Sequence, residues 1–77
     1  MTDYKIAALE AYLEVLNSMR KEYYIKASKA RFRAEDTGSD SSYNTARRYE
    51  AYMEILKYAE TEICRQIKER RIANGEL

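Results

Sequence analysis

The chain has no proline, no histidine and no tryptophan, and it has only two glycines and one cysteine among its 77 residues. Proline and glycine are the residues that most often interrupt helices, so their absence or scarcity favours long helices. Histidine is the commonest general base and the commonest metal ligand. Its absence argues against an enzyme and against a metal site.

The single cysteine, Cys64, has no second cysteine for an internal disulfide, so a reducing, cytoplasmic compartment is expected. It lies beside the stripe of Ile63 and Ile67, where we expect a buried thiol that acts as a small apolar side chain. The chain has no run of about eighteen apolar residues, and its first residues do not resemble a signal peptide. Neither a membrane-spanning nor a secreted protein is expected.

The residues that are abundant favour an all-α protein. Apolar residues make up 45% of the chain and charged residues 35%, with 14 basic against 13 acidic residues and a net charge of +1. This balance differs from the strongly basic composition that by itself indicates a nucleic-acid-binding protein. A lone chain of this length buries little apolar surface, so a partner surface is expected.

Helical periodicity covers nearly the whole chain and is interrupted once. The interruption is the small and polar segment 36–42, which contains Gly38. The pattern predicts a first helix over about 3–35, a loop over about 36–41 and a second helix over about 42–73. A short loop of this kind joins antiparallel neighbours, so one helical-hairpin domain is expected.

The helix ends carry their own chemical signals. Thr2 or Asp3 can cap the first helix, and Gly38 can adopt the left-handed conformation that closes its last turn. Any of residues 39–42 can cap the second helix, and we favour residues 40–42, because a side-chain oxygen there would accept from a free backbone N–H group. Asn74 and the glycine after it predict the end of the second helix.

Folding the chain about Gly38 pairs positions whose numbers add to roughly 77 in an antiparallel hairpin. The alanines at the end of the first helix then meet tyrosines of the second. The expected hairpin and dimer core is Ile6, Leu9, Leu13, Leu16, Ala27, Ala30, Tyr49, Met53, Leu56, Ile63 and Ile67. Arg20 lies on the same stripe, and we expect its stem to follow the core edge while its guanidinium reaches water or a carboxylate.

Both apolar stripes are wider than one helix–helix seam needs. The residues beside the stripes are Tyr12, Met19, Ile55, Tyr58 and Cys64. A second copy that covers them would complete a homodimeric four-helix bundle. In topology alone, this architecture resembles the small antiparallel hairpins that dimerise into four-helix bundles.

The most distinctive local feature is the stretch 20–33, which contains six basic residues and only one acidic residue, Glu22, with aromatic residues interleaved. Hairpin geometry brings a second basic and aromatic group to the same end. The resulting candidate interaction patch is Tyr23, Tyr24, Lys26, Lys29, Arg31, Phe32, Arg33, Tyr43, Arg47 and Arg48. Three interpretations stay open: a solvated or ion-paired surface, a protein-binding patch, and a site for RNA or single-stranded nucleic acid.

Eight tyrosines exceed what a core of this size needs, and tyrosine is common at interfaces. Tyr12, Tyr49 and Tyr52 are expected in the core or at its edge. The others are expected to contribute to a dimer or partner interface; they are Tyr4, Tyr23, Tyr24, Tyr43 and Tyr58.

No motif for catalysis or for cofactor, metal or small-molecule binding is recognised. Glu10 with Glu14 and Glu50 with Glu54 share a helix face four residues apart, but the histidine of di-iron helical bundles is missing, so surface carboxylates are expected. No glycine-rich phosphate-binding loop is present.

The leading hypothesis is a small non-enzymatic interaction protein, a regulator or inhibitor that docks on a larger cytoplasmic protein or nucleoprotein. Its size and character resemble those of the small inhibitors that phages and other mobile elements produce, such as anti-CRISPR proteins. The alternatives are a helical dimer that binds nucleic acid through its basic, tyrosine-rich end, and a purely structural oligomer.

Overall fold

The computed structural model describes residues 3–76, which form two long helices packed against each other. Helix α1 spans Tyr4–Thr37 and helix α2 spans Asp40–Ala73. The prediction of an all-α helical hairpin is therefore confirmed for the described chain. The hairpin is slender, with extents of 56 × 15 × 14 Å along its principal axes.

Helix α1 begins and ends with the chemistry expected from the sequence. The Asp3 carboxylate accepts hydrogen bonds from the backbone N–H groups of Lys5 at 2.9 Å and Ile6 at 3.3 Å. Gly38 has φ 66°, and its N–H donates to the Ala34 carbonyl at 2.7 Å. The alternative cap, Thr2, lies outside the described residues.

The connection between the helices is shorter than predicted, because it consists of Gly38 and Ser39 alone. Ser39 is the N-cap of α2, and its hydroxyl accepts from the backbone N–H of Ser42 at 3.4 Å. The predicted cap within 40–42 is therefore wrong. Gly38 closes one helix and the next residue opens the other, so no residue is left over for a linker.

Helix α2 ends at the expected place. Asn74 is its C-cap and donates its backbone N–H to the Arg70 carbonyl, and the following Gly75, which has φ 77°, donates its N–H to the Ile72 carbonyl. Arg70 and Arg71 lie in the last turn, where positive charge opposes the negative end of the helix dipole.

The core is a single seam between the two helices. Its buried residues are Ile6, Leu16, Ala27, Ala30, Ala34, Ala46, Leu56, Ile63 and Ile67. Leu9, Leu13, Tyr49 and Met53 are half-buried, so each predicted core residue is at least partly shielded. Ala34 and Ala46 have no exposed surface at all, because only small side chains fit where the helices converge on the two-residue connection.

Asp3 also ties the two ends of the chain together. Its carboxylate accepts from the Arg70 guanidinium at 3.0 Å and from the Asn74 side-chain amide at 2.6 Å. One side chain thus caps α1 and holds the last turn of α2. The Asn74 hydrogen bond, together with those from the backbone and the Arg70 charge, lowers the pKa of Asp3 below its usual value of 3.8.

A lowered pKa makes Asp3 a source of acid sensitivity. Its stabilising effect is complete above the ordinary carboxyl pKa and is lost as the pH falls below about 4, because the folded state must then take up a proton. We expect Asp3→Asn, which keeps a capping oxygen, to reduce the loss of thermal stability on going from neutral to acidic pH. Circular dichroism melts of both chains across this range provide the measurement, and parallel curves would contradict the assignment.

Gly38 is the backbone position on which the short connection depends. A Cβ atom there would meet no neighbour within 4 Å, so a substitution should act through the left-handed conformation alone. We expect Gly38→Ala to lower the free energy of unfolding by about 1 kcal/mol. Gly38→Asn should cost less, since asparagine tolerates this conformation. Chemical denaturation measures both, and equal losses would contradict the backbone explanation.

Candidate interaction faces

One side of the hairpin is bridged by ion pairs, and we call it the ion-paired face. Its pairs are Glu10 with Arg71 at 2.9 Å, Arg20 with Glu60 at 2.6 Å and Arg31 with Glu50 at 3.0 Å. The Arg20 pair confirms the expectation that its guanidinium would reach a carboxylate. These contacts hold the helices in register. In each pair the two residue numbers add to a value close to the predicted sum of roughly 77.

The paired glutamates of the sequence belong to this face. Glu10 and Glu50 each contact an arginine of the opposite helix rather than forming a carboxylate site with Glu14 or Glu54. Within residues 3–76, no group of three or more potential ligands is placed to hold a metal ion. The two glutamates therefore link the helices.

The opposite side of the hairpin is apolar, and we call it the apolar face. It consists of Tyr12, Val15 and Met19 of α1 and of Tyr52, Ile55 and Ala59 of α2. Both triplets have spacings of three and four residues, which place their members on one side of a helix. All except Ala59 are exposed, and Ile55 keeps 66% of its surface accessible.

The position of each residue relative to the seam decides which face it joins. Met19 and Tyr52 each precede a seam residue by one position, whereas Arg31 and Glu50 each follow one. In an antiparallel pair, the preceding positions of both helices meet on one side and the following positions on the other. The chain therefore places charges that pair across the seam on one side and its large apolar side chains on the other.

An aromatic cluster connects the apolar face to the seam. The Tyr23 ring lies 5.7 Å from that of Tyr49 and 5.3 Å from that of Tyr52, measured between centroids. The Lys26 ammonium lies 5.6 Å from the Tyr23 centroid and 3.8 Å from a Glu22 oxygen. Tyr23 is thus half-buried within the hairpin, although the sequence had suggested that it belonged to the interface surplus.

The ten residues of the predicted patch do not form one surface. Arg31 is held by Glu50 on the ion-paired face, and Tyr43 and Arg47 line a shallow depression with Asp40. Tyr23 and Lys26 lie toward the apolar face, while Tyr24 and Arg48 are exposed. A helix distributes consecutive residues around its axis, so a basic stretch in sequence becomes several separate groups in space.

A second shallow depression lies on α1 near the connection. It is lined by Ser28, Lys29, Phe32, Arg33 and Asp36, and 73% of the Phe32 surface is exposed. We call Lys29, Phe32 and Arg33 the tip group. It combines an exposed aromatic ring with two cations that have no ion-pair partner among the described residues.

The prediction that Cys64 is buried is wrong, because the thiol is exposed. The residue follows the buried Ile63 by one position and therefore stands at the edge of the seam on the ion-paired face, beside Leu13 and Ile67. A two-helix hairpin has no third element to cover this edge.

The open end of α2 carries a local charge network. Arg65 donates to Glu62, one turn before it, and to Glu69, one turn after it. The Arg65 hydrogen bond lowers the pKa of Glu62, and the two glutamates in turn raise the pKa of Arg65. Glu62 thus stays ionised at the edge of the apolar face, and Glu69 is paired with the same arginine.

Sequence reasoning missed some of the exposed apolar residues. Val15, Ile25 and Ile72 are each more than half exposed and had no part in the predicted surfaces. Val15 lies three residues after Tyr12 and four before Met19, and this spacing would have identified it as a member of the apolar face.

A comparison with protein-family models, with curated proteins and with solved structures finds no match for this chain. Neither helix within residues 3–76 has an apolar segment long enough to cross a membrane. The two faces and the tip group are the features of this chain that bear on its function.

Proposed function

We propose that this chain is a non-enzymatic interaction protein, a homodimeric helical hairpin that docks on a larger macromolecule as a regulator or inhibitor. The observation that supports the proposal most directly is the apolar face. Large apolar side chains collected on one side of a hairpin, with the interhelical pairs of the ion-paired face on the other side, are typical of a surface that is covered in the assembled state.

A second copy is the simplest cover for the apolar face. A hairpin has one internal seam, so each helix buries one stripe and leaves a second stripe in water. Two hairpins that meet through their apolar faces would give each helix two neighbours and a shared four-helix core. Tyr12 and Tyr52 would supply a large contact area with few rotatable bonds to immobilise, as tyrosine commonly does at interfaces.

The tip group is the proposed contact with the larger partner. Phe32 is 73% exposed and follows the buried Ala30 by two positions, which places it on the outer side of α1, so it would stay exposed in the dimer. Its ring is flanked by Lys29 and Arg33, which suit an acidic surface that also offers an apolar pocket. We therefore favour a protein partner with a carboxylate-rich docking site.

Nucleic acid is the second candidate partner, and a specific observation favours it. Lys29, Arg33 and Arg47 have no ion-pair partner among the described residues, and the aromatic rings of Phe32 and Tyr43 lie near them in the two depressions. Cations with neighbouring aromatic rings are the elements that single-stranded nucleic acids contact.

The dimer is tested with two isoleucine substitutions that make the same chemical change. Ile55→Lys places an ammonium in the proposed interface, whereas Ile72→Lys places one on the outer surface of α2. We expect the first change to weaken the dimer by at least about tenfold and the second to leave it intact. Sedimentation equilibrium measures both. A wild-type monomer of 9.1 kDa at micromolar concentration would contradict the proposal.

Salt dependence separates the two kinds of partner. For a protein-docking tip, we expect RNA and single-stranded DNA oligomers to bind weakly even at low salt, with little loss in the Arg33→Ala, Arg47→Ala double variant. Fluorescence anisotropy across a salt series provides the measurement. Tight binding that falls steeply with salt and weakens in the double variant would instead support the nucleic-acid candidate.

A further inference from the structure

The charges that border the apolar face differ between its two ends. Toward the connection lie four cations, Lys26, Lys29, Arg33 and Arg48, together with the carboxylates Glu22 and Asp36. Toward the open end lie the carboxylates Glu62 and Glu69, together with Arg65 and Lys5. The face is therefore positive at one end, apolar in the middle and without excess positive charge at the other end.

Two-fold symmetry allows two ways of stacking such faces. In a tip-to-tip dimer, Lys29, Arg33 and Arg48 of one copy would lie against the same cations of the other. In a head-to-tail dimer, α2 of one copy would lie over α2 of the other, so each Arg48 would instead lie against the Glu62 and Glu69 end of the other copy, far from the three α1 cations at the connection end of that copy. Like charges that face each other across an interface cost free energy, and opposite charges select the orientation.

We propose that a second copy of this chain covers the apolar face in the head-to-tail orientation, with Arg48 of each copy close to Glu69 of the other. The inference rests on the proposed dimer and adds its geometry. In the hairpin register, Arg48 lies level with Lys29, and Glu69 lies level with Ala8. These two levels lie ten and eleven residues from Met19, which stands at the middle of the apolar stretch.

The two-fold axis of this dimer passes close to Met19 and Ala59. Met19 of one copy therefore opposes Met19 of the other, and Ala59 opposes Ala59. In the tip-to-tip dimer, by contrast, Met19 of one copy would oppose Ala59 of the other, because α1 would then lie over α2.

The orientation decides how many docking ends the assembly offers. Head-to-tail stacking puts the two tip groups at opposite ends of a bundle whose hairpins are 56 Å long. The dimer is then bivalent, and it can engage two acidic sites on one large partner or join two partners. Tip-to-tip stacking would merge both tip groups into one docking end.

Cysteine cross-linking tests the orientation. In a Cys64→Ser background, Met19→Cys is introduced in one preparation and Ala59→Cys in another, and each is oxidised under mild conditions. We expect each single variant to form a disulfide-linked dimer on its own, since equivalent positions approach each other at the axis. Linkage that appears only when the two variants are mixed would overturn the head-to-tail orientation.

Sedimentation of the Cys64→Ser chain at the concentration used for cross-linking tests the dimer separately from its orientation. A monomer would show that the proposed dimer itself fails. A dimer in which neither single-cysteine variant becomes linked would overturn the orientation alone.

Charge reversal gives an independent test, because it weakens association in one orientation and strengthens association in the other. In the head-to-tail dimer, we expect Arg48→Glu to weaken association by about tenfold, because the contact between Arg48 and Glu69 occurs twice. Adding Glu69→Arg to this variant should restore association. Arg47→Glu is the matched control; it changes the same charge one residue away, in the depression beside Asp40 and Tyr43. Stronger association of Arg48→Glu would indicate the tip-to-tip dimer and overturn the proposal.

Discussion

Burial of one apolar stripe on each helix is the interaction on which the rest of this structure depends. Two helices can share only one seam, and nine buried residues fill it between the open end and the connection. Hydrophobic burial is proportional to the apolar area removed from water, so a seam of this width stabilises a chain of 77 residues only modestly. Any further stabilisation must come from the sides of the seam or from another molecule.

The two sides of the seam differ in kind. On the ion-paired face, Arg31 and Arg71 of different helices reach Glu50 and Glu10, and each such surface pair adds little stability while fixing the register. On the apolar face, exposed side chains such as Ile55 have no cover. Water solvates the charged side chains of the ion-paired face well. Its contact with the side chains of the apolar face is unfavourable. The asymmetry thus directs association to one side and leaves the tip group available for docking.

Much of the fold follows from local chemistry that the sequence displays. Asp3 and Gly38 act at the helix ends as expected, because capping involves only neighbouring residues. The length of the connection was overestimated, since Ser39 serves as a cap immediately after Gly38. Helix propensity alone does not show which of several adjacent serines and aspartates will accept the first free N–H group.

The surfaces were harder to predict. The basic stretch from residue 20 to 33 looked like one patch, yet the packed helices separate Arg31, which is ion-paired, from Phe32, which is exposed beside unpaired cations. Cys64 is exposed although burial is expected from the sequence, and Tyr23 is half-buried although an interface position is expected. The reason is similar, because one position along a helix is a rotation of about 100°, enough to move a side chain from the seam to its edge.

The sequence by itself determined that the chain forms two helices, where each begins and ends to within a few residues, and which stripe each helix buries. These features depend on periodicity, capping and the single glycine at the turn, all of which are local. Only the tertiary structure decided which charges pair across the seam, which tyrosines stack and which apolar side chains remain uncovered. Those outcomes depend on the rotation of one helix about its axis against the other, and that rotation is set by the packing of the whole seam.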